Sequence, residues 1–516
     1  MAKKLIRHEP GGLTRAQRKT AKRHYQAFLK DAETTDTDAS GELLPSVSKW
    51  PRLWAGGFWS LKVRRPYHRA TGYQVASANP FAAADLYDPA GPIIGINMLS
   101  GAAFTFDPWL LYLIGLVTSP NLLIQGTLRQ GKSFFIKRLV ALLSVFGRYA
   151  INTSDSKGEH GNTALALGGV VIKLGVFGSP IRINPLERPE QRRGEHVEAY
   201  RLRVRAARSA VMQQICGLLN PGERNVTARE IAILDWAISD TVQATGDRPT
   251  IRLVWERITS PAYLTEAAAR EWKGDDREDL VDGLRRLTEG DLAGMFDTES
   301  TVKLDPESPY TVIDTSAIAE RGGNALAVTQ AVTNAWVHHT ISNKDSGRQY
   351  FLIREEGWRD MKTVAALEAH QEQLKLSGEY GIVMVLIVHE DGDFDSVGAE
   401  GSKERELARS LLRGYANRIT FNLPAQTLRN AVETDTFTEA EAAAIASLKR
   451  GQFLVKIKAG SFVVDGTPTT TDWERAMFDT DRQMRGDGAD SNNEDHGTAH
   501  SSTAETPDAA LEGATA

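Results

Sequence analysis

Apolar and polar positions along this chain fall into two textures. Between residues 95 and 185, short apolar runs bounded by glycine and polar residues alternate with a stretch of helical spacing. IIGINML reads as a strand. Leu122-Leu123-Ile124 reads as a strand running into a glycine loop, and KSFFIKRLVALLSVFG as an amphipathic helix. RYAINTSDSKGEHG reads as a strand ending in a polar turn, and VVIKLG as a further short strand. Strand, helix and strand in this order predict an α/β fold with a mainly parallel sheet. From 195 to 300 the period changes. EHVEAYRLRVRAARSAVMQQICGLLN, TAREIAILDWAISDTVQA, IRLVWERI and REDLVDGLRRLTE all carry helical spacing, which predicts a helical insertion. The α/β texture resumes over 301–480, in YTVIDTS, a helix near 324 to 341, RQYFLIREEGW, GIVMVLIVHEDGDF, ANRITFNL and GQFLVKI.

The two ends differ from this middle. Residues 1–40 hold a basic stretch of helical spacing, LTRAQRKTAKRHYQAFLKDA, read as a solvated helix or a docking arm. Residues 41–94 form a small N-terminal region in which three tryptophans interleave with Arg and Lys. That mix suits an interface with a partner, a membrane surface or a nucleic acid, and equally the core of a small β-rich domain. Residues 481–516 lose apolar content and read as a disordered tail. Within the chain, 95–194 and 301–480 are then two parts of one domain, interrupted by the insertion.

Composition narrows the classes. The 516 residues carry a net charge of −5, so no global field draws the chain to nucleic acid or anionic lipid, and any basic surface is local. A single cysteine, Cys216, excludes a disulfide framework and a cysteine-based zinc site and fits a reducing cytoplasm. The opening MAKKLIRHEPGG is basic without a long apolar core, so no targeting signal is expected. The most membrane-like run, WLLYLIGLV from Trp109 to Val117, is about half the ~20 residues that span a bilayer. It reads as a buried helix or strand leading into the glycine loop.

That loop matches G-x-x-x-x-G-K-[ST] at Gly126, Gly131, Lys132 and Ser133, with an apolar strand before it and a helix after it. The arrangement turns backbone N–H groups inward as an anion nest and adds a helix dipole. The expected nucleotide-binding segment is Gly126, Thr127, Leu128, Arg129, Gln130, Gly131, Lys132, Ser133 and Phe134. Lys132 would bridge the β and γ phosphates of ATP, and the Ser133 hydroxyl would ligate Mg²⁺. Arg129 needs a permissive backbone angle. Its side chain either points out of the loop or adds positive charge beside the phosphates. The acidic partner is expected at the end of Tyr350–Ile353, where Glu355 would hold Mg²⁺ through water and Glu356 would orient and activate the attacking water. Asp314, in TVIDTS, is the second candidate.

Several stretches in order resemble one family, the TraC-like and VirB-type ATPases of conjugation and type IV secretion, in the FtsK/HerA group of P-loop motors. They are SDSKGEHGNTALALGGVVIKLG, RINPLE, GDLAGMFDTES, EEGW, VHEDGDF, GQFLVKIKAG and DWERAMFDT, and together they span about 95 to 480. The resemblance implies a RecA-like, hexameric motor that hydrolyses ATP with Mg²⁺ and powers a secretion or conjugation channel in the membrane. It also implies a cytoplasmic location, peripheral at the inner face of the cell membrane. His389 stands where the family carries a glutamine that senses the γ-phosphate. Arg413 and Arg418 are the candidates to reach the nucleotide of a neighbouring subunit, and Lys157 and Glu159 would reach the nucleotide or an adjacent subunit, or simply pair in their loop. Three departures from the family pattern, Arg129 for glycine, Glu355 for aspartate and His389 for glutamine, imply slow turnover. Two other functions fit the same motifs: a DNA translocase or coupling protein that binds DNA directly, and a nucleotide-binding scaffold with little turnover.

Overall fold

A computed structural model describes residues 91–479, apart from 274–276, 343–345, 358–360, 362–363, 390–401 and 459. The basic arm, nearly all of the tryptophan-rich region and the C-terminal tail lie outside the described residues.

In chain order, the fold opens with β1 (Ile93–Asn97), β2 (Ala103–Thr105) and α1 (Pro108–Leu113). Next come β3 (Leu122–Gln125), α2 (Lys132–Val145), β4 (Tyr149–Asp155), α3 (Gly161–Ala166) and β5 (Val170–Lys173). The insertion follows as α4 (Val197–Leu219), α5 (Ala228–Thr245), α6 (Ile251–Thr259), α7 (Pro261–Ala269) and α8 (Glu278–Thr288). Then β6 (Tyr310–Asp314), α9 (Ser316–Ala319), α10 (Gly323–Ile341), β7 (Tyr350–Glu355), α11 (Val364–Leu376) and β8 (Ile382–Val388) resume the alternation. The chain closes with α12 (Lys403–Arg413), β9 (Asn417–Thr420), α13 (Ala425–Glu433), α14 (Glu439–Ser447), β10 (Gln452–Ile457), β11 (Gly460–Asp465) and α15 (Asp472–Phe478).

The described strands form one sheet in the order β2-β1-β11-β10-β9-β3-β8-β7-β4-β6-β5. From β9 to β5 every pairing is parallel; from β9 through β10, β11, β1 and β2 every pairing is antiparallel. The parallel part is what the apolar runs foretell, because helices cover both of its faces and its strands lose their alternation. Every residue of β8 is buried. The antiparallel wing was not foreseen beyond β1 and β10.

Strand alternation divides the core between the two faces. Leu122, Ile124, Phe351 and Ile353 pack with Ile136 and Leu139 of α2. Leu123 and Leu352 pack in the other cluster, with α10, α11 and the insertion. A buried ion pair, Arg138 Nε to Glu474 Oε1 at 2.9 Å, fastens α15 to α2, and Glu474 also completes the capping box of α15 with Thr471.

The run from Trp109 to Val117 departs from expectation. It is a short helix started by Asp107, whose carboxylate accepts from the N–H groups of Trp109 and Leu110. Trp109, Leu111 and Val117 are buried, but Leu113 is 71% exposed and Tyr112, Ile114 and Leu116 are exposed as well. Ser119-Pro120-Asn121 then separates it from β3. No helix among the described residues is long and apolar enough to cross a membrane.

Candidate active site

β3 ends at Gln125, and the chain reverses through the glycine loop before α2 starts at Lys132. Gly126 has to be glycine: its φ is 152°, and a Cβ built there would lie 2.5 Å from the Cβ of Phe421. Arg129 adopts the left-handed region, φ 63°, and its exposed side chain lines the rim of the adjoining cavity. The side chain thus points out of the loop toward solvent, on the rim of the cavity that Lys132 also lines. The loop is tied to its neighbours by Thr127, whose N–H and hydroxyl donate to Asn422 O at 3.0 and 3.2 Å, and by Gly126 N, which donates to His389 O at 3.2 Å. Gly131 caps α2 with no side-chain hydrogen bond, so the first turn presents N–H groups to an anion.

The ammonium of Lys132 is buried against this loop. It donates to Gly126 O, to Thr127 O at 2.8 Å and to His389 Nδ1 at 3.2 Å. An ammonium only donates, so Nδ1 accepts and the ring proton sits on Nε2. Nε2 in turn lies 3.7 Å from Glu356 Oε1. Lys132, His389 and Glu356 thus form a line across the ends of β3, β8 and β7, three neighbouring strands. Glu356 reaches this line from a left-handed backbone, φ 49°, with its N–H held by Ile387 O at 3.2 Å.

A cavity of about 300 Å³ opens beside the loop, lined by Arg129, Lys132, Ser133, Lys157, Glu159 and His389 among others. A second cavity, of about 360 Å³, has walls from Phe134, Phe421 and Phe453, and shares Gly131, Phe134, Arg450 and Asp479 with the first.

Glu355 has a different setting. Its Oε1 lies 2.7 Å from His160 Nε2. Asp155 shapes the turn that delivers the histidine, accepting from Glu159 N at 3.1 Å and His160 N at 2.8 Å. Behind the ring, His160 Nδ1 is 2.6 Å from the Tyr310 hydroxyl. Burial works against charge on Glu355, but His160, helped by Lys157 and Lys137, outweighs it and holds the carboxyl below the usual range. Burial likewise works against His160, and Glu355 outweighs it, so the imidazole lies above its ordinary value. Burial raises Asp155 and lowers Lys137, whose ammonium is 3.5 Å from Glu159 O.

No group of three or more His, Cys, Asp or Glu among the described residues could hold a metal by itself. Ser133, which lines the loop cavity, suits only an ion that arrives with its phosphates and keeps several waters, which is the habit of Mg²⁺.

No protein-family model and no curated protein matches the sequence. Solved structures do. VirB4 of Thermoanaerobacter pseudethanolicus superposes with a TM-score of 0.60 at 18% identity, over 76% of this chain and 100% of that one. This chain has the fold of VirB4. The bacterial conjugative coupling protein TrwB, in complex with a non-hydrolysable ATP analogue, matches more loosely, with a TM-score of 0.46 at 13% identity over 75% of this chain and 95% of that one. The VirB4 fold is a RecA-like P-loop fold, so the expected fold class is the one found.

Within this VirB4 fold the remaining expected residues scatter. Asp314 caps its own turn, accepting from Ser316 N at 3.0 Å and Ser316 Oγ at 2.7 Å, and β4 stands between its strand and β7. Arg413 ends α12, and Arg418 donates to Leu412 O at 2.9 Å. Both lie toward the start of β9, the end of the sheet away from the loop, so the chain does not bring them to its own Lys132. Lys157 and Glu159 do line the loop cavity. The sequence reading missed Asp155, His160 and Tyr310. The only signal for His160 was its place in the polar turn after β4, since its partners lie 150 and 195 residues away.

Proposed function

We propose that this chain binds ATP with Mg²⁺ and hydrolyses it as the motor of a conjugative or type IV secretion apparatus. The observation that carries the reading is the line Lys132–His389–Glu356, which joins a phosphate-binding loop to a carboxylate across three strand ends. The loop N–H groups and the Lys132 ammonium would hold the β and γ phosphates, the ammonium exchanging its loop carbonyls for phosphate oxygens. Ser133 and Glu355 would hold Mg²⁺, which neutralises charge on the phosphate oxygens. Glu356 would take the proton of the attacking water, and His389, through its Nε2 proton, would keep that carboxylate aimed at the γ-phosphate. The aromatic cavity beside Gly131 would take the base. The longer arm of Glu355, where a shorter carboxylate would be more rigid, fits slow turnover. Arg413 or Arg418 would act only across a subunit boundary, which fits a homohexameric ring at the cytoplasmic face of a membrane channel.

Phosphate release by the purified chain, with and without DNA, together with its mass in solution, tests this. Mg²⁺-dependent release, a hexamer mass and a weak DNA effect are expected. Strong, salt-dependent DNA stimulation would favour a DNA pump instead. ATP binding without release would leave a scaffold, and absence of nucleotide binding would end the reading.

A further inference from the structure

The Glu355 carboxylate is set in place before any nucleotide arrives. His160 has no exposed surface, and its two ring nitrogens are both engaged, Nε2 with Glu355 Oε1 at 2.7 Å and Nδ1 with the Tyr310 hydroxyl at 2.6 Å. The three residues come from adjacent strands: Glu355 ends β7, His160 lies in the turn after β4, and Tyr310 opens β6. Asp155 fixes that turn through two backbone N–H groups, so the ring has little freedom to leave. The arrangement also holds in either charge state of the imidazole. When it is neutral, the tyrosine hydroxyl donates to Nδ1 and Nε2–H donates to the carboxylate. When it is charged, both nitrogens donate.

We propose that His160 is a positioning residue for the Mg²⁺-facing carboxylate, with Tyr310 fixing the ring from behind, and that this clamp adapts the long Glu355 side chain to its task. The proposal rests on the reading that the chain binds ATP with Mg²⁺. A glutamate has one more rotatable bond than an aspartate, and Mg²⁺ tolerates little misplacement of its donors. Holding one carboxylate oxygen on His160 leaves the other to face the site in a fixed orientation. The clamp also accounts for the division of labour between neighbouring acids: Glu355 is anchored, while Glu356 faces His389.

The test uses the full chain with His160→Ala, His160→Gln and Tyr310→Phe. Affinity for a fluorescent ATP analogue is measured with and without Mg²⁺, alongside kcat, KM and melting temperature. Removing a group that orients a metal ligand costs about 10- to 100-fold in metal affinity or activity. His160→Ala should therefore lose the Mg²⁺ enhancement of affinity and lower kcat by that factor, while Mg²⁺-free affinity stays within about twofold of wild type, because the loop is untouched. His160→Gln, whose amide can still donate to the carboxylate, should recover much of both, and Tyr310→Phe should fall between. If wild type binds the nucleotide but His160→Ala keeps its full Mg²⁺ enhancement and kcat, the clamp has no role. If His160→Gln is as impaired as His160→Ala, the histidine is structural only. A wild-type chain that binds no nucleotide would instead bring down the underlying reading.

Discussion

β7 ends in Arg354 and Glu355, and strand alternation sends these neighbours to opposite faces of the sheet. Each meets a buried histidine with a tyrosine hydroxyl behind it. On the α2 face the set is Glu355, His160 and Tyr310. On the other face, under α11, it is Arg354, His370 and Tyr415, with His370 Nε2 2.9 Å from the Tyr415 hydroxyl. The layout is the same and the charge is reversed. Burial pushes both rings toward neutrality. Against it, Glu355 lifts His160 above its ordinary value, whereas Arg354 reinforces burial and His370 falls well below. On the anion-backed face, the turn that carries His160 lines the glycine-loop cavity through Lys157 and Glu159. The cation-backed face lies sealed in the larger core. Changes on the first face should alter turnover and leave folding alone; changes on the second should do the reverse.

The strongest way to break that contrast is Lys132→Ala. Removing a preorganised charge that meets developing phosphate charge costs on the order of 100-fold or more in kcat. Phosphate release and nucleotide affinity should both collapse with the melting temperature little changed, because the ammonium's bonds to Gly126 O, Thr127 O and His389 Nδ1 lie at the strand ends and not in the apolar core. A rate near that of wild type would remove the loop from the mechanism. Glu356→Gln comes next. General base catalysis contributes about 100-fold or more, so kcat should fall by that order while ATP affinity holds. Full retained activity would make Asp314 the next acid to test, although its carboxylate is spent on Ser316.

Gly126→Ala belongs to both categories at once. Its φ of 152° and the 2.5 Å approach to Phe421 leave no room for a methyl group. Overpacking of this kind costs about 1 to 3 kcal/mol. Melting temperature and ATP affinity should fall together, and a loss of affinity alone would show that the loop can shift away from β9.

What the sequence disclosed of this site follows the same divide. The loop and the strands that frame it were legible because their signals are local. Leu122–Ile124 and Val383–Val388 are unbroken apolar runs, and Gly126 to Ser133 is a contiguous motif. The insertion was legible because Ala228–Thr245 and its neighbours repeat apolar residues at helical spacing. The histidine sets were not legible, because each joins residues brought together only by strand order. His160 reaches 195 residues forward to Glu355, and Arg354 sits inside an apolar strand with no local hint of a partner. The antiparallel wing was partly hidden for a related reason. β2 has three residues, and β11 is mostly half-buried, with one exposed and one buried residue and no clean alternation. Arg413 and Arg418 were expected to act on a neighbouring subunit, and the fold sets them at the end of β9 away from this chain's own loop.

The last prediction tests the sealed face through pH. His370 is neutral in the folded chain, because burial and then Arg354 and His338 keep its pKa well below the ordinary value. In the unfolded chain it titrates near the ordinary histidine value of about 6.5. Above that pH neither state binds the proton, and the contribution of the neutral ring is whole. As pH falls below it, the unfolded chain takes up a proton that the folded chain refuses, and stability drops, by at most about 1.4 kcal/mol per pH unit for one group. Melting temperatures of wild type and His370→Gln between pH 7.5 and 5.5 read this out. The variant, lacking the ring, should start less stable at pH 7.5, and the gap should narrow toward pH 5.5 as wild type alone pays the protonation cost. ATP turnover at pH 7.5 should be nearly the same in both, since no atom of His370 faces the loop cavity. A gap that stays constant with pH would mean that the folded ring takes up its proton over the same pH range as the unfolded one, so that burial and Arg354 do not hold it neutral. The two faces of β7 would then no longer differ in the way their histidines are held.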